Sequence, residues 1–91
     1  MAVLITAEVP GQTQEGYDGM IAALAPLLRT AKGFIAHGAG PLGNGQGWRS
    51  FEVWETQADA TTFFAEHIHP RLPPGVKPQR TLLELHALIK A

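Results

Sequence analysis

Between Gly47 and Pro70 the hydrophobic pattern changes its period, and the rest of the chain must be arranged around that change. From Trp48 to Trp54 the residues alternate. Trp48, Ser50, Glu52 and Trp54 fall on one face of an extended chain, and Arg49, Phe51 and Val53 on the other. Aromatic and β-branched residues in a period of two suit a pleated, half-buried strand. Thr56-Gln57-Ala58-Asp59 then has the form of a capping box. In that motif the Thr56 hydroxyl accepts from the Asp59 N–H, and the Asp59 carboxylate reaches back to the Thr56 N–H. The strand therefore ends, and a helix begins, at Glu55–Thr56. That helix is expected over Thr56–His69, with Ala60, Phe63, Phe64, His67 and Ile68 towards the core and Pro70 as its stop.

The other elements fall into place on either side. Ala2 to Val9 reads as a strand, apolar at every odd position and closed by the turn pair Pro10-Gly11. Thr13 to Thr30 reads as a helix. Thr13 is its cap, and Tyr17, Met20, Ile21, Leu24, Leu27 and Leu28 form one apolar stripe. Pro26 inside that stripe costs about 3 kcal/mol, so a kink or a second helical piece after Ala25 is expected. Lys32-Gly33 supplies a cation and a residue tolerant of left-handed backbone, a good stop. Phe34 to Ala39 is a second strand, joined to the Trp48 strand by the flexible hairpin connection Gly43–Gly47. Glycine-rich loops that hold phosphate lead into a helix, and this one leads into a strand. Leu72–Pro78, with three prolines, is a rigid loop before a last strand over Gln79–Leu88.

The order β-α-β-β-α-β is the split βαβ pattern of a ferredoxin-like α+β sandwich, a four-stranded antiparallel sheet with two helices on one face. The bare sheet face is expected to show Leu4, Leu82, Leu88, Trp48 and Trp54. A soluble monomer seldom exposes an apolar patch of that size. Two copies stacked sheet on sheet would cover it, and an isologous homodimer is the simplest arrangement.

Composition narrows the function classes. The chain has 91 residues and reads as one domain. It has no cysteine, so disulfide and thiolate chemistry are excluded. Its net charge is −1 with both signs interspersed, which leaves no basic footprint for nucleic acid and no polybasic membrane patch. No run approaches the roughly 18 apolar residues of a membrane span. The short apolar start lacks a basic leader and reads as a strand, so the expected location is the cytoplasm.

Three sequence features carry a resemblance: Trp48-x-x-x-Glu52-Val53-Trp54-Glu55-Thr56, Phe63-Phe64 with Ile68-His69-Pro70-x-Leu72, and Lys32-Gly33-Phe34. Together they resemble the antibiotic biosynthesis monooxygenase family of the dimeric α+β barrel superfamily. The resemblance spans most of the chain and implies a dimeric barrel with a cavity between each subunit's sheet and helices. Members include cofactor-free oxygenases, haem degraders and cyclases. The haem degraders rely on an Asn in the first strand and on a Trp and a His in the second helix. Here the first strand has no Asn and Phe63 stands at the position of that Trp, which argues against haem.

A greasy cavity with few polar groups suits an aromatic or polyketide-type ligand. His37, mid-strand among apolar neighbours, is the first candidate for a base, and His67 near the end of the second helix is the second. Each has a plainer use: a core histidine bonded to a carbonyl, or a cation at a helix end. His69 lies roughly 200° around the helix from His67, so the two do not share a site. Trp54 joins the catalytic candidates through the resemblance, since tryptophan is implicated near the substrate in cofactor-free members; on its own a tryptophan here would be packing. Tyr17, Phe63, Phe64 and Arg49 are the candidate substrate contacts. Glu66 and His69 have a spacing compatible with a metal, but no third ligand is placed, so neither metal nor cofactor is expected. The leading expectation is a cofactor-independent monooxygenase. The alternatives are a cyclase or isomerase using the same pocket, and a non-catalytic dimeric binding module.

Overall fold

A computed structural model describes all 91 residues. It contains β1 (Val3–Pro10), α1 (Gln14–Thr30), β2 (Phe34–Pro41), β3 (Gly47–Trp54), α2 (Gln57–Phe63) and β4 (Gln79–Glu84). A π-helical turn, Phe64–Ile68, and a 3₁₀ turn, His69–Arg71, follow α2 directly. The strands form one antiparallel sheet in the order β2-β3-β1-β4. This is the ferredoxin-like α+β arrangement that the element order implies.

Local chemistry explains where the helices begin. Thr13 and Thr56 are extended residues whose hydroxyls accept from the N–H groups of Gly16 (3.0 Å) and Asp59 (3.1 Å). Only the forward half of the expected capping box is present. The Asp59 carboxylate instead lies against Gly33, where a Cβ would strike it. Gly33 is also left-handed, at φ 81°. It therefore turns the chain out of α1 and lets α2 approach closely, while its carbonyl accepts from Glu55 N–H at 2.7 Å.

Helix α1 corrects the expected break at Pro26: it runs unbroken through that residue. Pro26 and Ala22, whose carbonyl loses its helical donor, are both exposed, so water can take up the lost bond. The stripe itself is as expected. Leu24 and Leu28 are buried, and Met20, Ile21 and Leu27 pack at the edge of the core. With Val3, Ile5, Trp54, Ala60 and Phe63 these leucines form the core between sheet and helices.

Three other expectations are corrected. The second helix does not continue in α form to His69. The His69 N–H bonds to the Phe64 carbonyl, a five-residue step that widens the turn. The last strand stops at Glu84 rather than Leu88 because its partner runs out. Val3 faces Glu84 at the start of β1, Ala2 takes one more bond from Leu85 N–H (2.8 Å), and no strand lies beyond. Finally, Trp48 and Trp54 face the helices, not the bare side. Trp54 opposes Val3 and Phe34, Trp48 stacks on Tyr17, and Trp54 is fully buried.

The bare face carries Leu4, Phe51, Val53 and Leu83, with Thr6 hydrogen-bonded to Thr81. Leu83, opposite Leu4, replaces the expected Leu82, which lies opposite Ile5 on the helix side. Leu88 lies beyond the sheet. Phe51 and Leu83 are 45% and 58% exposed in the single chain, so the apolar face exists with a different membership. No helix is long and apolar enough to cross a membrane.

Candidate active site

The site follows from the parity of β3. Because Trp54 points into the core, Glu52, Ser50 and Trp48 point to the same side. His37 of β2 lies directly opposite Glu52 in the ladder, and Ser50 lies between Ala39 and Ala7. Arg80 of β4 is the next residue along that row, opposite Ala7. The small side chains Ser50 and Ala7 leave a hollow where the other inward positions are filled. Met20, Ile21 and Leu24 of α1 form one wall, and Phe64 and Ile68 of the π-helical turn form another. The resulting cleft encloses about 610 Å³ counted out to its open mouth. It is a slot rather than a chamber. Ten of its 15 lining residues are hydrophobic, so the few polar ones decide its chemistry.

His37 is held at one ring nitrogen and faces a carboxylate with the other. The Tyr17 hydroxyl lies 2.7 Å from Nε2, and Glu52 Oε2 lies 3.5 Å from Nδ1. The second contact is too long for a good hydrogen bond, and Nδ1, buried, has no other partner. Burial, then the charges of Asp18 and Glu52, hold the Tyr17 phenol above its usual pKa of 10.0. The phenol therefore keeps its proton and is able to donate to Nε2. In the tautomer where it does, the ring proton sits on Nδ1, facing the carboxylate.

Glu52 is tied down from a second side by Trp54 Nε1, at 3.0 Å. Burial alone would raise the Glu52 pKa. The facing His37 ring, the hydrogen bond from Trp54 and the charge of Arg80 outweigh that and hold it below its usual 4.5. Glu52 is thus an ionised carboxylate in a mostly apolar slot, placed to stabilise an imidazolium at His37.

The structure brings together only some of the residues expected from sequence. His37 and Phe64 line the slot, and Tyr17 adjoins it through His37. Trp54 is fully buried and reaches the slot only through Glu52. Phe63 is buried beside Trp54, at 5.3 Å between ring centroids. His67 packs on Phe63 at 4.8 Å and faces a separate polar groove with Lys32, Asp59 and Glu66. Arg49 lies on the bare sheet face, paired with Glu8. No three His, Asp or Glu residues converge as a metal cage.

Two residues missing from the substrate and catalytic candidates belong here. Glu52 was legible as a charged residue at an inward position of a hydrophobic strand. Arg80, near the start of a short edge strand, gave no such signal.

No protein-family model matches this sequence, and no curated protein matches it significantly. Solved structures do share its fold. One is a variant of SnoaB, a cofactor-independent oxygenase from Streptomyces nogalater. It is 12% identical with a TM-score of 0.68, over 99% of this chain and 98% of that one. A conserved protein from Methanosarcina mazei Go1 is 13% identical with a TM-score of 0.73, over 91% of each chain. A candidate antibiotic biosynthesis monooxygenase from Bordetella bronchiseptica is 14% identical with a TM-score of 0.63, over 92% of this chain and 96% of that one. The fold is therefore one that antibiotic biosynthesis monooxygenase-like proteins share. Identity at this level speaks for the fold alone.

Proposed function

We propose that this chain is a cofactor-independent monooxygenase acting on an aromatic or polyketide-type substrate in the slot, with His37 as the base. The observation that carries this reading is a histidine flanked by a phenol and a half-buried carboxylate, at the wall of a cleft that is otherwise largely apolar. The fold shared with an oxygenase that needs no cofactor supports it.

In this scheme a flat, acidic substrate lies along the slot. His37 Nε2, released by the Tyr17 hydroxyl, takes the substrate's proton, and Glu52 stabilises the imidazolium. The conjugated substrate anion gives its electrons to O₂. Combination at carbon and return of the proton yield a hydroperoxide, and loss of water leaves a carbonyl. His67 lies in a separate groove, so His37 is the better placed of the two bases. Trp54 acts by positioning Glu52 and Phe64 by walling the slot; Tyr17 sets the histidine tautomer. The protein works as a homodimer whose bare faces, with Leu4, Phe51, Val53 and Leu83, stack on each other.

The test is incubation of the purified protein with polycyclic phenols and anthrones, with and without O₂, following products and O₂ uptake with no added flavin, haem or metal. O₂-dependent product is the expected result. Equal product without O₂ would replace the oxygenase with a cyclase or isomerase, and no turnover across the panel would remove the enzyme reading. Light scattering on the same sample is expected to give twice the chain mass of 9.8 kDa.

A further inference from the structure

Arg80 is the one cation on the slot, and nothing in the protein neutralises it at close range. The acid–base contacts within 4.0 Å are His37–Glu52, Arg49–Glu8 and His67–Glu66; Arg80 belongs to none. Its guanidinium carbon sits 3.9 Å from the centre of the Phe64 ring. That contact fixes the flat face of the guanidinium by cation–π attraction and leaves its N–H edge without an acceptor. The side chain is anchored on the small-residue row of the slot floor, opposite Ala7 and one strand from Ser50. Phe64, Leu72 and Pro78 bring the apolar mouth up to it. Partial burial weakens its hold on its proton, with the Glu52 charge acting in the opposite sense, so its hydration is incomplete. A guanidinium whose edge is unpaired, beside a largely apolar slot, is built to meet an anionic oxygen carried on an apolar body.

We propose that Arg80 selects flat aromatic anions for the slot. An oxyanion (phenolate, enolate or carboxylate) is held by its guanidinium at the mouth, with the ring system lying between the sheet and α1. This deepens the oxygenase reading, because the anion left when His37 takes the substrate's proton would be held at its oxygen by Arg80. It rests on the same slot but requires no turnover. Glu52 sits further in and repels a second negative charge, so the ligand's charge belongs at the Arg80 end.

The direct test is calorimetric titration of the full chain with naphthoate and with neutral naphthamide, two ligands of nearly the same shape. Wild type is expected to prefer naphthoate by about tenfold or more, the scale of a charge-assisted hydrogen bond. Arg80→Gln abolishes that preference and leaves naphthamide binding within about twofold, since the ring contacts remain. Arg80→Lys keeps part of the preference, because an ammonium supplies charge without the fork. Arg80 sits on an edge strand outside the core, so both variants should stay folded with a cooperative melting transition, which the same samples report. Equal affinity for the two ligands in wild type, no binding of either, or an undiminished preference in Arg80→Gln would each overturn the proposal. Arg80-dependent naphthoate binding without O₂-dependent turnover would uphold this selection and remove the oxygenase reading. Turnover with an unchanged KM in Arg80→Gln would do the reverse.

Discussion

Glu52 and Trp54 lie two residues apart on the same face of the same strand, yet their surroundings differ in kind. Around Trp54 everything is closed: Val3, Leu24, Leu28, Phe34 and Phe63 fill the space, and the indole is fully buried. Around Glu52 the row beyond it is made of Ser50 and Ala7, and the space stays open. The closed end makes the open end usable. Trp54 Nε1 donates to Glu52, so packing in the core fixes the carboxylate that faces His37. A polar group in an apolar slot holds its geometry only where its neighbours are already rigid.

The most damaging way to break this coupling is Trp54→Ala. It empties the core, at a cost of about 3–5 kcal/mol on denaturant unfolding. Trp54→Phe keeps most of the volume and removes only the donor. It sharpens the comparison: the Glu52 pKa should rise towards 4.5, read by NMR titration of its carboxylate, with far less loss of stability.

A smaller effect follows from the Glu52 titration. Its folded pKa lies below 4.5, so its contribution to stability is present above that value and is lost as pH falls through the folded pKa. Urea unfolding of Glu52→Gln should therefore show a flatter acid limb than wild type below about pH 4.5. An equally steep limb would mean that other carboxylates govern acid stability.

The smallest effect is expected at Tyr17. Removing its hydroxyl in Tyr17→Phe should cost about 1 kcal/mol, the worth of one hydrogen bond, and should free Nε2 without ending turnover. Tyr17 is the only tyrosine, so the phenolate absorbance of wild type reports it alone and should titrate above 10.0.

How much of this could be read from the residues divides along the same line. The architecture was legible because local signals agree with it. Thr13 and Thr56 cap the two helices, Gly33 turns left-handed, and the periods of two and 3.6 change where strand becomes helix. The alternation along β3 was legible too, but not which side faced the helices, because Trp48 and Trp54 on one side compete with Phe51 and Val53 on the other. Parity of this kind is settled by the partner strands, and β1, apolar on both faces at its start, gave little help. Pro26 misled because its cost depends on whether its lost partner meets water. The end of β4 depended on where β1 begins. Arg80 was invisible because nothing local marks a cation as unpaired; that depends on every acid in the fold.

The proposed chemistry requires His37 to be chemically active and not merely packed against the slot wall. The measurement that tests this most directly is O₂-dependent turnover of His37→Ala beside its melting temperature, on a substrate that wild type oxidises. The prediction is a fall of about 10²-fold or more in kcat, the scale of a lost general base, with the melting transition still cooperative and the protein folded at the assay temperature. Turnover close to wild type in the folded variant would contradict it, as would a loss of activity no greater than the loss of folded protein.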